Sequence, residues 1–195
     1  MKKIAFLAVC LFAGSVNATV IDFESTTTLG CQVTAGGTVD GFSLGSYNGN
    51  SGAGFNNSCF GIESANSGTK YMLNYNSAIG VFTKDVGVFD LNSLYVRAWT
   101  GFNSSLLFLG LDGVNGNILY SMNVNVTNVW QKISFINWTG VKTFTWDPTN
   151  PTVSNIAIDD FEYNASSTPV SEPVSLALLG LGLAGIGFSR RKKAA

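Results

Sequence analysis

Leu94-Tyr95-Val96-Arg97-Ala98-Trp99 alternates without a slip. Leu94, Val96 and Ala98 fall on one side of an extended chain, and Tyr95, Arg97 and Trp99 on the other. That period of two is the mark of a half-buried β-strand. Outward from it the same texture recurs. In Trp130–Asn137, Ile133 and Phe135 alternate with Lys132 and Ser134, while Leu106–Leu111 is apolar on both faces and reads as a central strand. Further strand-like runs are Val20–Glu24, Thr38–Leu44, Thr69–Tyr75, Gly80–Phe89, Ile118–Val126, Val141–Trp146 and Val153–Tyr163. Turn signals such as Ala35-Gly36-Gly37, Asn48-Gly49-Asn50, Asp112-Gly113 and Asn115-Gly116-Asn117 separate them. No stretch between residues 19 and 164 sustains a 3.6-residue apolar period. Short strands with Gly/Asn turns and no helix pattern predict an all-β fold, an antiparallel β-sandwich of the jelly-roll kind.

The two ends are of another character. Met1-Lys2-Lys3, an apolar run from Ile4 to Gly14 and Val16-Asn17-Ala18 make a signal peptide over 1–18, with cleavage before Thr19. At the other end, 174–189 holds no charge and Arg190-Arg191-Lys192-Lys193 follows it. As a helix, 174–189 would be about 24 Å long, short of the roughly 30 Å hydrocarbon core, a gap that snorkelling lysines and arginines and local thinning can close. With the domain exported, the basic tail at 190–193 stays cytoplasmic. The Ser/Thr/Pro-rich stretch 165–170 reads as a linker between the 19–164 domain and this tail.

Ser171-Glu172-Pro173, the apolar run and the basic cluster together resemble the PEP-CTERM sorting signal over 171–195, with Ser171 where the first proline is usual. The resemblance implies a Gram-negative bacterium and a protein that crosses the inner membrane and is held transiently by its C-terminal helix. It implies signal peptidase and an exosortase as processing partners, and a final place at the cell surface or in an exopolysaccharide or biofilm matrix. Val20-Ile21-Asp22-Phe23-Glu24 and Ile156-Ala157-Ile158-Asp159-Asp160-Phe161 resemble the opening and closing strands of galactose-binding-like and carbohydrate-binding-module jelly rolls. Trp138-Thr139-Gly140-Val141 adds an aromatic-x-Gly-Val segment often found between them.

Charge and composition narrow the chemistry. Without the two ends the domain keeps five basic residues against eleven acidic ones, a net charge of −6. Nucleic-acid affinity rests on neutralised phosphates, so this domain is a poor partner for it. The chain has no histidine, which removes Ser-His-Asp and Cys-His catalysis and histidine-ligated zinc. Cys31 and Cys59 remain after signal removal, and an even count in an oxidising compartment predicts a disulfide between them. Such a bridge stabilises by about 3–4 kcal/mol on the chain-entropy account.

Three groups of residues are candidates for a site. The carboxylates of Glu24, Asp159 and Asp160 repel one another unless solvated, protonated or bridged, and a structural Ca²⁺ is one way to bridge them. The alternative is a pair of aspartates at a strand end in water. Tyr95, Arg97 and Trp99 offer sugar-stacking rings around a guanidinium, with Trp130, Trp138 and Trp146 as alternatives and structural packing as the competing role. These features point to a non-catalytic surface or matrix protein, adhesive or structural, with extracellular polysaccharide as the candidate ligand. The competing class is a carbohydrate hydrolase or lyase, which needs two carboxylates facing each other across a cleft.

Overall fold

The computed structural model describes residues 18–26, 37–47, 50–56, 62, 64–75, 78–99, 103–149 and 155–166. Twelve strands and no helix form among them. They are β1 (Thr19–Ile21), β2 (Gly37–Val39), β3 (Phe42–Tyr47), β4 (Asn50–Asn56), β5 (Lys70–Tyr75) and β6 (Ile79–Lys84). After them come β7 (Val88–Ala98), β8 (Ser104–Leu111), β9 (Ile118–Val126), β10 (Gln131–Val141), β11 (Thr143–Pro148) and β12 (Ile156–Ser166). One sheet runs β10-β7-β12-β5-β4 with β1 beside β12, the other β2-β3-β6-β11-β8-β9. Every pairing is antiparallel. The chain crosses between two facing sheets repeatedly, as the jelly-roll expectation required.

The alternation in Leu94–Trp99 is realised on β7. Leu94, Val96 and Ala98 join the main core, and the other three side chains face away from it. That core is largely aromatic. Phe42 stacks on Phe82 at 4.4 Å from the second sheet, and meets Phe161 and Tyr163 of β12 edge-on. Phe144 of β11 stands among Phe108, Phe135 and Trp146. Offset and edge-to-face rings contribute roughly 0.5–1.5 kcal/mol a pair beyond their burial.

Several boundaries differ from the sequence reading, each for a local reason. Thr38–Leu44 is two strands, because Asp40 and Gly41 both have positive φ (48° and 75°) and make the hairpin turn between β2 and β3. Gly80–Phe89 also divides, at Asp85-Val86-Gly87, where Gly87 has φ 72°. β10 runs past Asn137 to Val141, through a register shift at which Asn137 takes φ 61°. β4 was not foreseen. β8 lies next to the edge rather than centrally, and its Leu107 and Leu109 are only half-buried. β12 carries two residues into the stretch read as a linker, ending at Ser166. Residues 1–17 of the signal peptide, Cys31 and Cys59, and the sorting segment from Ser171 onward lie outside the described residues. Among the described residues no helix is long and apolar enough to cross a membrane.

Candidate functional site

Along one side of β12 the partner changes midway. Ile156–Ile158 pair with β5 and Phe161–Tyr163 with β1, and the register shifts between Asp159 and Glu162. β1 and β5 therefore lie end to end, as one strand line with a gap. Asp160 sits opposite the gap with φ 45°. In a regular strand Asp159 and Asp160 would face opposite sides of the sheet. The bulge turns both carboxylates onto one segment, residues 64–70.

What they meet there is a row of donors. Asp159 Oδ2 accepts from the backbone N–H of Asn66 (2.9 Å) and Ser67 (3.0 Å), and its Oδ1 from the N–H of Asp160. Asp160 accepts from Asn66 Nδ2 and Ser67 Oγ. Glu24, just past β1, accepts from the N–H groups of Thr69 (2.7 Å) and Lys70 (2.6 Å) and from Thr69 Oγ1. Lys70 Nζ donates in return to the carbonyls of Glu24 and Thr26. Gly68, at φ 56°, leaves room for the Glu24 carboxylate; a Cβ there would strike it.

Electrostatics follow from these surroundings. Burial pushes the Asp159 carboxyl up to about 7, and the neighbouring charge of Asp160 adds to this, while the N–H groups of Ser67, Asp160 and Asn66 pull it down. Glu24 moves the other way. The upward pull of its surroundings is outweighed by the Thr69 and Lys70 hydrogen bonds and the Lys70 charge, which hold it below its usual range.

The three carboxylates of the calcium expectation thus already have donors as partners. Among the described residues no three His, Cys, Asp or Glu side chains converge as a metal site. Glu24, Asp159 and Asp160 turn their oxygens to N–H and O–H donors, whereas a hard cation needs those same lone pairs. The arrangement is a clasp that holds segment 64–70 on the sheet, with the Lys70 ammonium as its cation.

The clasped segment covers part of the outer face of the first sheet. Ile62 is fully buried with Tyr71, Leu73 and Ala157, and Trp130 packs on the margin of this small cluster. Trp130 Nε1 donates to the carbonyl of Ser64 at 2.9 Å. Tyr95, Arg97 and Trp99 do share this outer face, but they do not form an open stripe. Arg97 is only 4% exposed, with its guanidinium 5.9 Å from the centre of the Trp130 ring. Tyr95 and Trp99 are half-buried. Lys132, the register partner of Tyr95, sets its ammonium 5.9 Å from the Tyr95 ring. The aromatic surface left to solvent is thus Tyr95, Trp99 and Trp130 around a buried cation. Trp138 and Trp146, the other two alternatives, are in the core.

Other carboxylates also serve the fold. Asp112 accepts from Asn117 N and Nδ2, closing the β8–β9 turn, and these bonds lower its pKa. Asp90 accepts from Gly140 N–H, and Asp85 from Ser43 Oγ. Glu162 takes Ser93 Oγ at 2.6 Å and lies 3.7 Å from Lys132 Nζ. Sequence reading had missed the 64–70 donors. The one signal for them is the polar, glycine-containing run Asn66-Ser67-Gly68-Thr69-Lys70 ahead of a strand.

Comparison with known proteins settles the C-terminal end. The chain leaves β12 at Ser166, and the next residues fit a family model. Residues 169–192 match the PEP-CTERM protein-sorting motif. The match takes in Ser171-Glu172-Pro173, the apolar run and the first three basic residues, and starts two residues ahead of the boundary read from sequence. Upstream of the PEP-CTERM motif, the sandwich is similar to the K2 cleaved adhesin domain of Lys-gingipain. There the TM-score is 0.55 at 10% identity, over 76% of this chain and 99% of that one. This likeness is one of fold. The chain also matches the CBM22-1 xylan-binding domain of Paenibacillus barcinonensis Xyn10C at TM-score 0.42 and 15% identity (75% and 92% covered). A family 11 carbohydrate-binding module from Clostridium thermocellum, in complex with a β-1,3-1,4-mixed-linked tetrasaccharide, matches at 0.42 and 8% (77% and 97% covered). At these scores the last two carry no inference. No curated protein matches the sequence.

Proposed function

We propose that the chain is an exported, non-catalytic surface or extracellular-matrix protein, processed by an exosortase at Ser171-Glu172-Pro173, whose sandwich binds polysaccharide weakly. The observation that carries the reading is the PEP-CTERM protein-sorting motif at 169–192. The signal-peptide pattern at 1–18 and the histidine-free, acidic domain agree with it.

For the binding part, the support is the ring surface of Tyr95, Trp99 and Trp130. Sugar rings stack on such faces, and each contact contributes only about 1 kcal/mol beyond burial, so retention on a polymer is weak and multivalent. Arg97 acts from beneath, holding Trp130 in place. The hydrolase or lyase reading loses ground, because the described carboxylates that accept hydrogen bonds do so in turns, between strands and in the clasp.

Two experiments test this. Mass spectrometry of the exported product should give Thr19 as its N-terminus and no peptide beyond Pro173; an intact tail on the mature protein defeats the processing claim. Affinity electrophoresis through the producer's own polysaccharide should retard the wild type, and Trp99→Ala less so at unchanged melting temperature. Equal migration of wild type and a non-binding control defeats the binding claim.

A further inference from the structure

β9 closes one side of the second sheet. Among the described residues no strand pairs with its other side. In an antiparallel ladder every second residue turns its N–H and C=O away from the neighbour, so a nine-residue edge presents a row of unpaired groups. The other sheet ends are blunted. β2 has three residues. β10 carries two register shifts and Lys132, and β4 a shift between Ala53 and Phe55. β9 has one register shift, at its start between Ile118 and Tyr120, and neither a charge nor a break over the seven residues that follow. Its pairing with β8 is unbroken from Val126 to Tyr120, and no charge occurs from Gly113 to Gln131. Ile118 and Leu119 are exposed at its start, at 62% and 42%.

We propose that β9 is a self-pairing edge, through which two copies of this chain join antiparallel about a two-fold axis at Met122. The occupant is a second copy because the strand is complementary to itself. Residues equidistant from Met122 come opposite one another. On the exposed side Ser121 meets Asn123 of the second copy. On the core side Tyr120 meets Val124, and these two already lean on the core with Met122. A charge near the axis would meet its own image, and there is none. In a domain with a net charge of −6, this uncharged stretch is where two copies approach with least repulsion. Joined in this way, the second sheets of both copies become one.

The test uses the full chain in a mild detergent that keeps its C-terminal apolar segment dispersed, with size measured by light scattering across a concentration series. The wild type should shift from monomer to dimer as concentration rises. Ser121→Lys/Asn123→Lys sets lysine against lysine twice across the axis and should weaken the dimer on the order of tenfold or more. Ser121→Lys/Asn123→Glu sets lysine against glutamate in the same register and should restore it. A wild type that stays monomeric throughout, or a double-lysine variant that dimerises as well as the wild type, overturns the proposal. Hydrogen exchange on the wild type needs no variant: protection that grows with concentration should be confined to β9, and growth elsewhere without β9 also overturns it.

Discussion

The indole of Trp146 lies directly over Gly80, its register partner on β6, so that a Cβ on residue 80 would fall inside the ring. Both are buried, and the indole also stacks with Phe144. Gly80→Ala should therefore be worse than most small additions to a core, at least the 1–3 kcal/mol that is usual for overpacking. Thermal melts of Gly80→Ala, Trp146→Leu and the pair check this. The double variant should be clearly more stable than the sum of the two losses predicts, since the smaller leucine side chain leaves room for the new methyl.

Asp159 gives the domain a pH dependence of known sign. Its folded pKa is raised, to about 7 against an ordinary 3.8. A raised pKa means that the folded state holds a proton the unfolded state has released, so the stability linked to Asp159 is full below about 4 and drains away as pH rises to about 7. Melting temperature measured across this window should fall with pH in the wild type, and the slope should flatten in Asp159→Asn. An equal slope in both proteins would assign the dependence to other groups.

Glu24 fastens only one end of the clasp. Glu24→Ala should raise the hydrogen-exchange rates of the Thr69 and Lys70 amides, while Asn66 and Ser67, which donate to Asp159, stay protected. Losing hydrogen bonds to a charged acceptor costs about 1.5–3 kcal/mol, less where water replaces them, as it can at Thr69. Uniform loosening of all four amides would mean that the segment opens as one unit.

Because the clasp carboxylates already hold N–H donors, chelation should leave the melting temperature unchanged, and so should millimolar calcium. A rise with calcium that grows with its concentration would show that these oxygens exchange their donors for a cation.

Much of the sandwich was legible, because alternation in Leu94–Trp99 and in Ile133–Phe135 is imposed by burial on one face. What escaped lies where backbone, not burial, decides. Asp40-Gly41 looked like the interior of a strand, since Val39 and Phe42 flank it closely, yet its positive φ values make a two-residue turn. The bulge at Asp160 was equally hidden: two adjacent aspartates suggest repulsion or a cation, and only the left-handed residue explains how both reach segment 64–70. Arg97 was placed on the right face but at the wrong depth, because a local pattern says nothing of Trp130, distant in sequence, whose ring packs against its guanidinium.

The position of β12 has a mechanical consequence. Thr19 pairs with Tyr163, so the start of β1 and the departure of the chain at Ser166 lie at the same end of the sandwich, three residues before the sorting motif. Trp99 and Asn155 mark the opposite end. A load applied through the C-terminal side runs along β12, which is flanked by β7 on one side and by β5 and β1 on the other. It must shear those ladders together, where a peeled edge strand would release its bonds one at a time. In single-molecule pulling, extension from Ser166 should meet a higher rupture force than extension from an attachment in β2. Traction between this end and the far face is thus carried by the whole first sheet.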